Sequence, residues 1–254
     1  MTRVIKVGGR PQSDPRLAGA LASGWERGNG GLVLVHGGGD EVTTLQAALG
    51  GSTTFVDGRR VTSAHDVELV RMALSGSANK RLVARLVESG IDAVGLSGED
   101  AALIAALPVD AARLGHVGMP DVVNVAFLRH LLSGGYLPVI SPVSRDGSGT
   151  LGSALNVNGD DAAAAIAIAL RAAELLLVAD VAGVLRDGIV VPRLTPDEAR
   201  ALLSDGTAVG GMCAKLQAAL RALDGGVQCV RISDIAGIAD PRRGTLLRDT
   251  GDLS

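Results

Sequence analysis

Apolar residues in this chain recur with two periods. Residues 3–7 (RVIKV) and 32–35 (LVLV) are short β-type runs, each followed by glycines, and between them Leu17, Ala18, Leu21, Ala22 and Trp25 fall at helical spacing over 14–29. Strand, helix and strand in that order predict a βαβ unit, whose parallel strands bring both glycine turns to one carboxyl edge of a sheet. The pattern continues with a helix at 40–49, a hairpin in TTFVDGRRVT turning at Asp57-Gly58, helices over 65–75 and 77–89, and a strand in IDAVGLSG (91–98). Residues 103–123 read as irregular; a helix at 124–134 and a strand in YLPVIS (136–141) follow, then the glycine-rich linker DGSGTLGSA. The second half predicts a helix at 158–172, a strand in LLLVAD (175–180), helices at 196–205 and 213–224, and a strand in CVRIS (229–233). Strands and helices that alternate throughout predict an α/β protein: a three-layer αβα sandwich about a central, mostly parallel open sheet, with function collected at the strands' carboxyl ends.

Composition narrows the function classes. Aromatic residues make up 2% of a chain that is 47% hydrophobic, so the core is built from Ala, Val, Leu and Ile. The formal net charge is −3 and no basic cluster runs along the chain, which argues against a nucleic-acid or anionic-membrane partner. Cys213 and Cys229 have neither metal-ligand spacing nor the numbers for a disulfide framework, and read as buried thiols in a reducing compartment. MTRVIKVGG runs directly into a strand and is too short for a signal peptide, and the apolar stretch 162–179 is broken by Arg171 and Glu174. The expectation is a soluble, cytoplasmic protein.

The chemistry-bearing residues sit at the predicted turns. HGGG (36–39) ends one strand and opens a helix, so main-chain N–H groups stand clear of Cβ atoms beside the positive end of a helix dipole. That arrangement favours a carboxylate or phosphate. KVGG (6–9) is a second such turn, preceded by Lys6 inside an apolar strand, where an ammonium is costly unless it meets an anion. Neither GxxxxGK[ST] nor GxGxxG after a strand is present. LNVNGDD places Asn156 and Asp160 four residues apart, on one helix face if the helix begins near Asn156, although Asn158 or Asp160 could equally be plain caps. GGMCAKL (210–216) leads into a helix that carries Lys215. No Ser/His/Asp or Cys/His set stands out, and His36 and His116 read as hydrogen-bonding residues.

Taken in order, KVGG, HGGG, GRRVT (58–62), GHVG (115–118), LNVNGD, VADVAGVL (178–185) and GGMCAK resemble the acetylglutamate kinases of the amino-acid kinase family, over nearly the whole chain. The resemblance implies an N-terminal lobe (1–150) that binds the acylated amino acid and makes a dimer contact, and a C-terminal lobe (151–254) that binds ATP with Mg²⁺. It implies Lys6 and Lys215 as transition-state stabilisers held by Asp160. Gly8 and Gly9 with Gly38 and Gly39 would offer N–H groups to the transferring phosphoryl and the attacking carboxylate. Arg60 and Asn156 would bind the substrate's α-carboxylate. Asp180, Val181, Ala182, Gly183, Val184 and Leu185, with Thr207, Ala208 and Val209, would cradle the nucleotide. No protein ligand to the metal is implied.

The physical chemistry agrees: a carboxylate acceptor is already ionised at neutral pH and needs no general base, whereas phosphoryl transfer needs in-line positioning and positive charge. Arg60 suits bidentate carboxylate recognition, and Arg59 is a spare arginine. The resemblance thus implies ATP and N-acetyl-L-glutamate as the substrates. Two alternatives stay open: a kinase for another acylated acidic amino acid, including carrier-linked aminoadipate or glutamate, and a non-catalytic sensor of the same fold. Arginine-inhibited members of that family carry an extra N-terminal helix that links dimers into a ring; with the first strand here at about Arg3, the resemblance implies a homodimer that arginine does not inhibit.

Overall fold

The computed structural model describes residues 1–248 apart from Asp57 and Ser153. β1 (Arg3–Val7), α1 (Leu17–Arg27) and β2 (Leu32–His36) form the expected βαβ unit, with Lys6 beside Val35 and Val7 beside His36 in a parallel ladder. After α2 (Gly39–Ala48) comes the expected hairpin, β3 (Phe55–Val56) with β4 (Arg59–Arg60); Asp57 of its turn lies outside the described residues. The two helices expected between 65 and 89 are one continuous run: α3 (Ala64–Val70), a π-helical stretch Arg71–Ala78, and α4 (Asn79–Glu88). Gly76 weakens a helix without ending it, and the widened turns carry the backbone past it.

After β5 (Ala93–Gly98), the segment read as irregular is in fact β6 (Ile104–Pro108), a short α5 (Ala111–Leu114) and β7 (Val117–Val123). β6 and β7 pair antiparallel with a register shift beside Pro120, where a missing N–H costs no ladder bond; the prolines and Gly115 hid the alternation. α6 (Val125–Ser133) leads into β8 (Leu137–Asp146), longer than expected, and the glycine-rich linker into β9 (Ala154–Val157). Asn156 therefore lies on a strand, and α7 (Gly159–Leu170) begins only after Asn158, whose side chain caps it. The rest comprises β10 (Glu174–Val178), the hairpin β11 (Leu185–Arg186) and β12 (Ile189–Val190), β13 (Arg193–Leu194), α8 (Pro196–Ser204), α9 (Gly210–Asp224), β14 (Val230–Ser233), α10 (Ala236–Ala239) and β15 (Thr245–Leu247).

One sheet spans both halves of the chain, in the order β13-β15-β14-β10-β1-β2-β8-β6-β7-β9, with β5 also on β8. β14, β10, β1, β2, β8 and β5 pair in parallel, so their carboxyl ends share one edge. The first half of β8 pairs with β2 and β5, and its second half turns to β6 and β9. Strand alternation feeds two cores, as the three-layer expectation requires. Ile5, Val7, Leu34, Leu176 and Val178 pack under α1, α4 and α10 on one face. Val4, Val33, Val35, Leu175 and Leu177 pack under α7, α8 and α9 on the other. By the same period of two, Lys6 points to the α7 face.

Candidate active site

Lys6 reaches the first turn of α7, where its Nζ lies 2.9 Å from Asp160 Oδ1. Lys215, brought alongside by the packing of α9 on α7, places its Nζ 3.2 Å from the same oxygen and 3.3 Å from Oδ2. All three side chains are buried. Burial alone would raise the Asp160 pKa, but the two ammonium groups outweigh it and hold the carboxylate below its usual range. Lys215 moves the other way: burial first, then repulsion from Lys6, brings it down to about 8 despite Asp160. Gly159 makes the close approach possible, since a Cβ there would sit 3.1 Å from Lys6 Cε and 3.5 Å from the His36 carbonyl.

The two glycine turns meet at this point. Gly37 N–H donates to the Val7 carbonyl at 2.9 Å, which ties the second turn to the end of β1. A Cβ on Gly9 would stand 3.7 Å from Gly38 Cα and 3.8 Å from its nitrogen. Gly38 has φ 142°, and a Cβ there would lie 2.7 Å from Leu74 Cδ2, so this position needs glycine twice over. α2 and α9 both start on glycines with no side-chain cap, leaving their first N–H groups for a ligand.

A cavity of about 600 Å³ opens here, and Lys6, Gly9, Gly38, Gly39, Arg60, Asn156, Asp160 and Lys215 all line it. The Arg60 guanidinium is buried, and its partners among the described residues are neutral: Gly39 O and Thr43 Oγ1 at 2.8 Å, Thr53 Oγ1 at 2.9 Å and Gln46 Oε1 at 3.2 Å. Burial lowers its pKa, with Asp66 and Asp40 opposing from a distance. A buried guanidinium that touches no carboxylate among the described residues suits an anionic ligand. Asn156, from β9, donates to Thr62 Oγ1 at 3.0 Å on the same wall. Arg59 is not spare: it pairs with Asp161 at 3.1 Å, and Arg221 pairs with the same carboxylate.

A second cavity of about 510 Å³ is walled by Val178, Ala179, Asp180, Val181, Leu185, Thr207, Val209 and Met212, and shares Gly9, Gly211 and Lys215 with the first. Val181, Leu185 and Val209 are exposed apolar side chains on this wall. Ala182, Gly183, Val184 and Ala208, expected to contact nucleotide, do not line it. Val184 points into the core, a Cβ on Gly183 would strike Thr245 and Val190, and Ala208 packs against the core behind the wall.

The family model of the amino acid kinase family matches residues 1–234. The chain belongs to the amino acid kinase family. The acetylglutamate kinase of Chloroflexus aurantiacus (strain ATCC 29366 / DSM 635 / J-10-fl) is 44% identical over 239 residues, 93% of each chain. That of Roseiflexus castenholzii (strain DSM 13941 / HLO8) is 42% identical over 254 residues, covering 99% of this chain and 96% of its own. Among solved structures, smu.665 from Streptococcus mutans UA159 superposes with a TM-score of 0.86 at 27% identity, over 97% of this chain and 98% of that one. The main sheet that spans both halves of the chain is thus that of the amino acid kinase fold.

An amino acid kinase needs a place for a nucleotide, and the smaller cavity fits one by its chemistry: an apolar wall for a base at one end, and Lys215 with the uncapped start of α9 for phosphates at the other. Among the described residues, no three His, Cys, Asp or Glu side chains converge as a metal site, and Asp160 is occupied by its two lysines. Both cysteines are free and half-buried, with Cys213 on the larger cavity. No helix among the described residues is long and apolar enough to cross a membrane. Three site residues escaped sequence reading. Leu74 and Asp161 gave no local signal, whereas the glycine of NGD, Gly159, was visible as a motif but not as the space for Lys6.

Proposed function

We propose that the chain phosphorylates the γ-carboxylate of N-acetyl-L-glutamate with ATP, the acyl-phosphate-forming second step of arginine biosynthesis. The observation that carries this reading is the junction of the two cavities, where Lys6 and Lys215 share one buried carboxylate beside two glycine turns. Relatives named acetylglutamate kinase, at 42–44% identity over most of the chain, support it.

In this reading the acceptor carboxylate is already ionised and attacks the γ-phosphorus directly, with no proton to remove. Arg60 and Asn156 hold the α-carboxylate of the amino acid. N–H groups of Gly9, Gly38 and Gly39 face the attacking and equatorial oxygens, and Lys6 and Lys215 balance the charge that spreads over the migrating group. Asp160 keeps the two ammonium groups together against their mutual repulsion. Val181, Leu185, Thr207 and Val209 contact the nucleotide. Mg²⁺ enters as part of the MgATP substrate, held on phosphate oxygens, and neutralises their charge.

Residues 1–150 then form the acyl-amino-acid lobe and 151–254 the ATP lobe, with Asn156–Asp161 at the seam. The expected assembly and location are a cytoplasmic homodimer; light scattering of the purified chain at twice the monomer mass checks the first. ADP release measured with MgATP and, in turn, N-acetylglutamate, N-acetylaminoadipate and N-succinylglutamate tests the function. The highest kcat/KM belongs to N-acetylglutamate; preference for another acceptor, or release from none, overturns the reading.

A further inference from the structure

The turn Gly37–Gly39 is backed by a polar pair that the reaction does not touch. His36, fully buried at the end of β2, places Nδ1 2.8 Å from the Gly37 carbonyl. A carbonyl oxygen can only accept, so Nδ1 carries the proton. Nε2 then accepts from Asn79 Nδ2 at 3.1 Å, and that amide also donates to Val139 O at 2.9 Å. The amide cannot be reversed, because its oxygen would then face the Nε2 lone pair and a carbonyl. Burial lowers the His36 pKa to about 4, opposed by the bond to Gly37, so the ring is neutral at physiological pH and keeps this tautomer.

The consequence lies one bond further on. In a planar trans peptide the N–H points opposite to the preceding C=O. A Gly37 carbonyl held toward the His36 ring therefore turns the Gly38 N–H away from it, and Gly9 lies close by, where a Cβ would stand 3.8 Å from the Gly38 nitrogen. The Gly38 N–H donates to no protein group among the described residues, and Gly38 and Gly9 line the larger cavity together, where it meets the smaller one at Gly9 and Lys215. Asn79 is the first residue after the π-helical stretch, and Leu74, within that stretch, packs on Gly38. Both supports of the turn thus come from this one irregular helix.

We infer that His36 and Asn79 are positioning residues that aim the Gly38 N–H at the migrating phosphoryl group. The inference rests on the kinase reading above, though not on which carboxylate is the acceptor. Its test therefore measures binding, by calorimetry, of MgADP and of MgADP with aluminium fluoride, a planar stand-in for the migrating group. His36→Asn keeps an amide donor at the position of Nδ1, whereas His36→Gln moves it one atom outward. His36→Gln is expected to weaken the aluminium fluoride complex about tenfold to a hundredfold, with MgADP alone within twofold. His36→Asn is expected to stay within about threefold of the unsubstituted protein for both. Asn79→Leu, which frees Nε2, should give a smaller loss of the same kind. Equal affinities for His36→Gln and His36→Asn, or an equal loss for MgADP, would overturn the inference. A wrong acceptor assignment would appear instead in the substrate panel and leave these ratios unchanged.

Discussion

Asp160 is a buried carboxylate whose two neighbours are both ammonium groups, and that coupling sets a signed pH dependence. Lys215, brought down to about 8, loses its charge as pH rises from neutrality. If its ammonium form is the active one, kcat/KM falls as pH rises through about 8, and a pH–rate profile checks it. The carboxylate of Asp160 raises the Lys215 pKa, so Asp160→Asn should move that limb to lower pH as well as reduce kcat. In stability the sign reverses. An unfolded lysine still binds its proton between pH 8 and about 10.4, so this residue's contribution grows with pH across that window. Arg60 gives a second residue-scale test. Arg60→Ala removes the buried guanidinium, and KM for the acyl amino acid should rise about tenfold to a hundredfold while KM for ATP holds.

At the scale of elements, the wall proposed to hold the nucleotide depends on a strand far along the chain. Thr245 on β15 accepts the Val184 N–H at 2.8 Å and donates to the Val191 carbonyl at 2.6 Å, pinning both ends of the β11–β12 hairpin behind Asp180–Leu185. Thr245→Val keeps the volume but strands a buried donor and acceptor, at about 1–3 kcal/mol. The expected outcome is a raised KM for ATP, an unchanged KM for the acyl amino acid and a lower Tm, read by steady-state kinetics and a thermal melt. Sequence reading missed this hairpin, although its turn, Asp187-Gly188, carries the same signal that gave away β3 and β4. Its strands are two residues each, too short for any period to register. The helical run from Ala64 to Glu88 shows the opposite case: strong periodicity predicted helix, and only its π-helical middle, which swings Leu74 and Asn79 toward the glycine turn, went unseen.

For the molecule as a whole, β1 pairs directly with β10, and α7 covers β1 and β2 as well as β10. The apolar cluster under α7 joins Val4, Val35 and Ile140 with Leu177, Leu216 and Ile232. The two halves of the chain, joined in one sheet, should therefore unfold together. Urea denaturation followed by fluorescence of Trp25, in the N-terminal half, and by far-UV ellipticity should give one shared midpoint. A separate, earlier loss of ellipticity would show that the C-terminal half melts independently.

Local pattern was enough for the glycine turns, the βαβ unit and the polar residues at strand ends, because strand and helix periods are written in consecutive residues and Gly is demanded by backbone geometry at single positions. Lys6 could be placed on a strand face, and Lys215 on a helix, from those periods alone. That the two ammonium groups touch one oxygen of Asp160 depended on which strands became neighbours and on α9 lying against α7. Tertiary packing also put Asn156 on a strand, tied Arg59 to Asp161, and turned Val184 inward while Val181 and Leu185 stayed on the cavity wall. A side chain's partner across a sheet is settled by strand order and helix docking, which short-range periodicity does not encode.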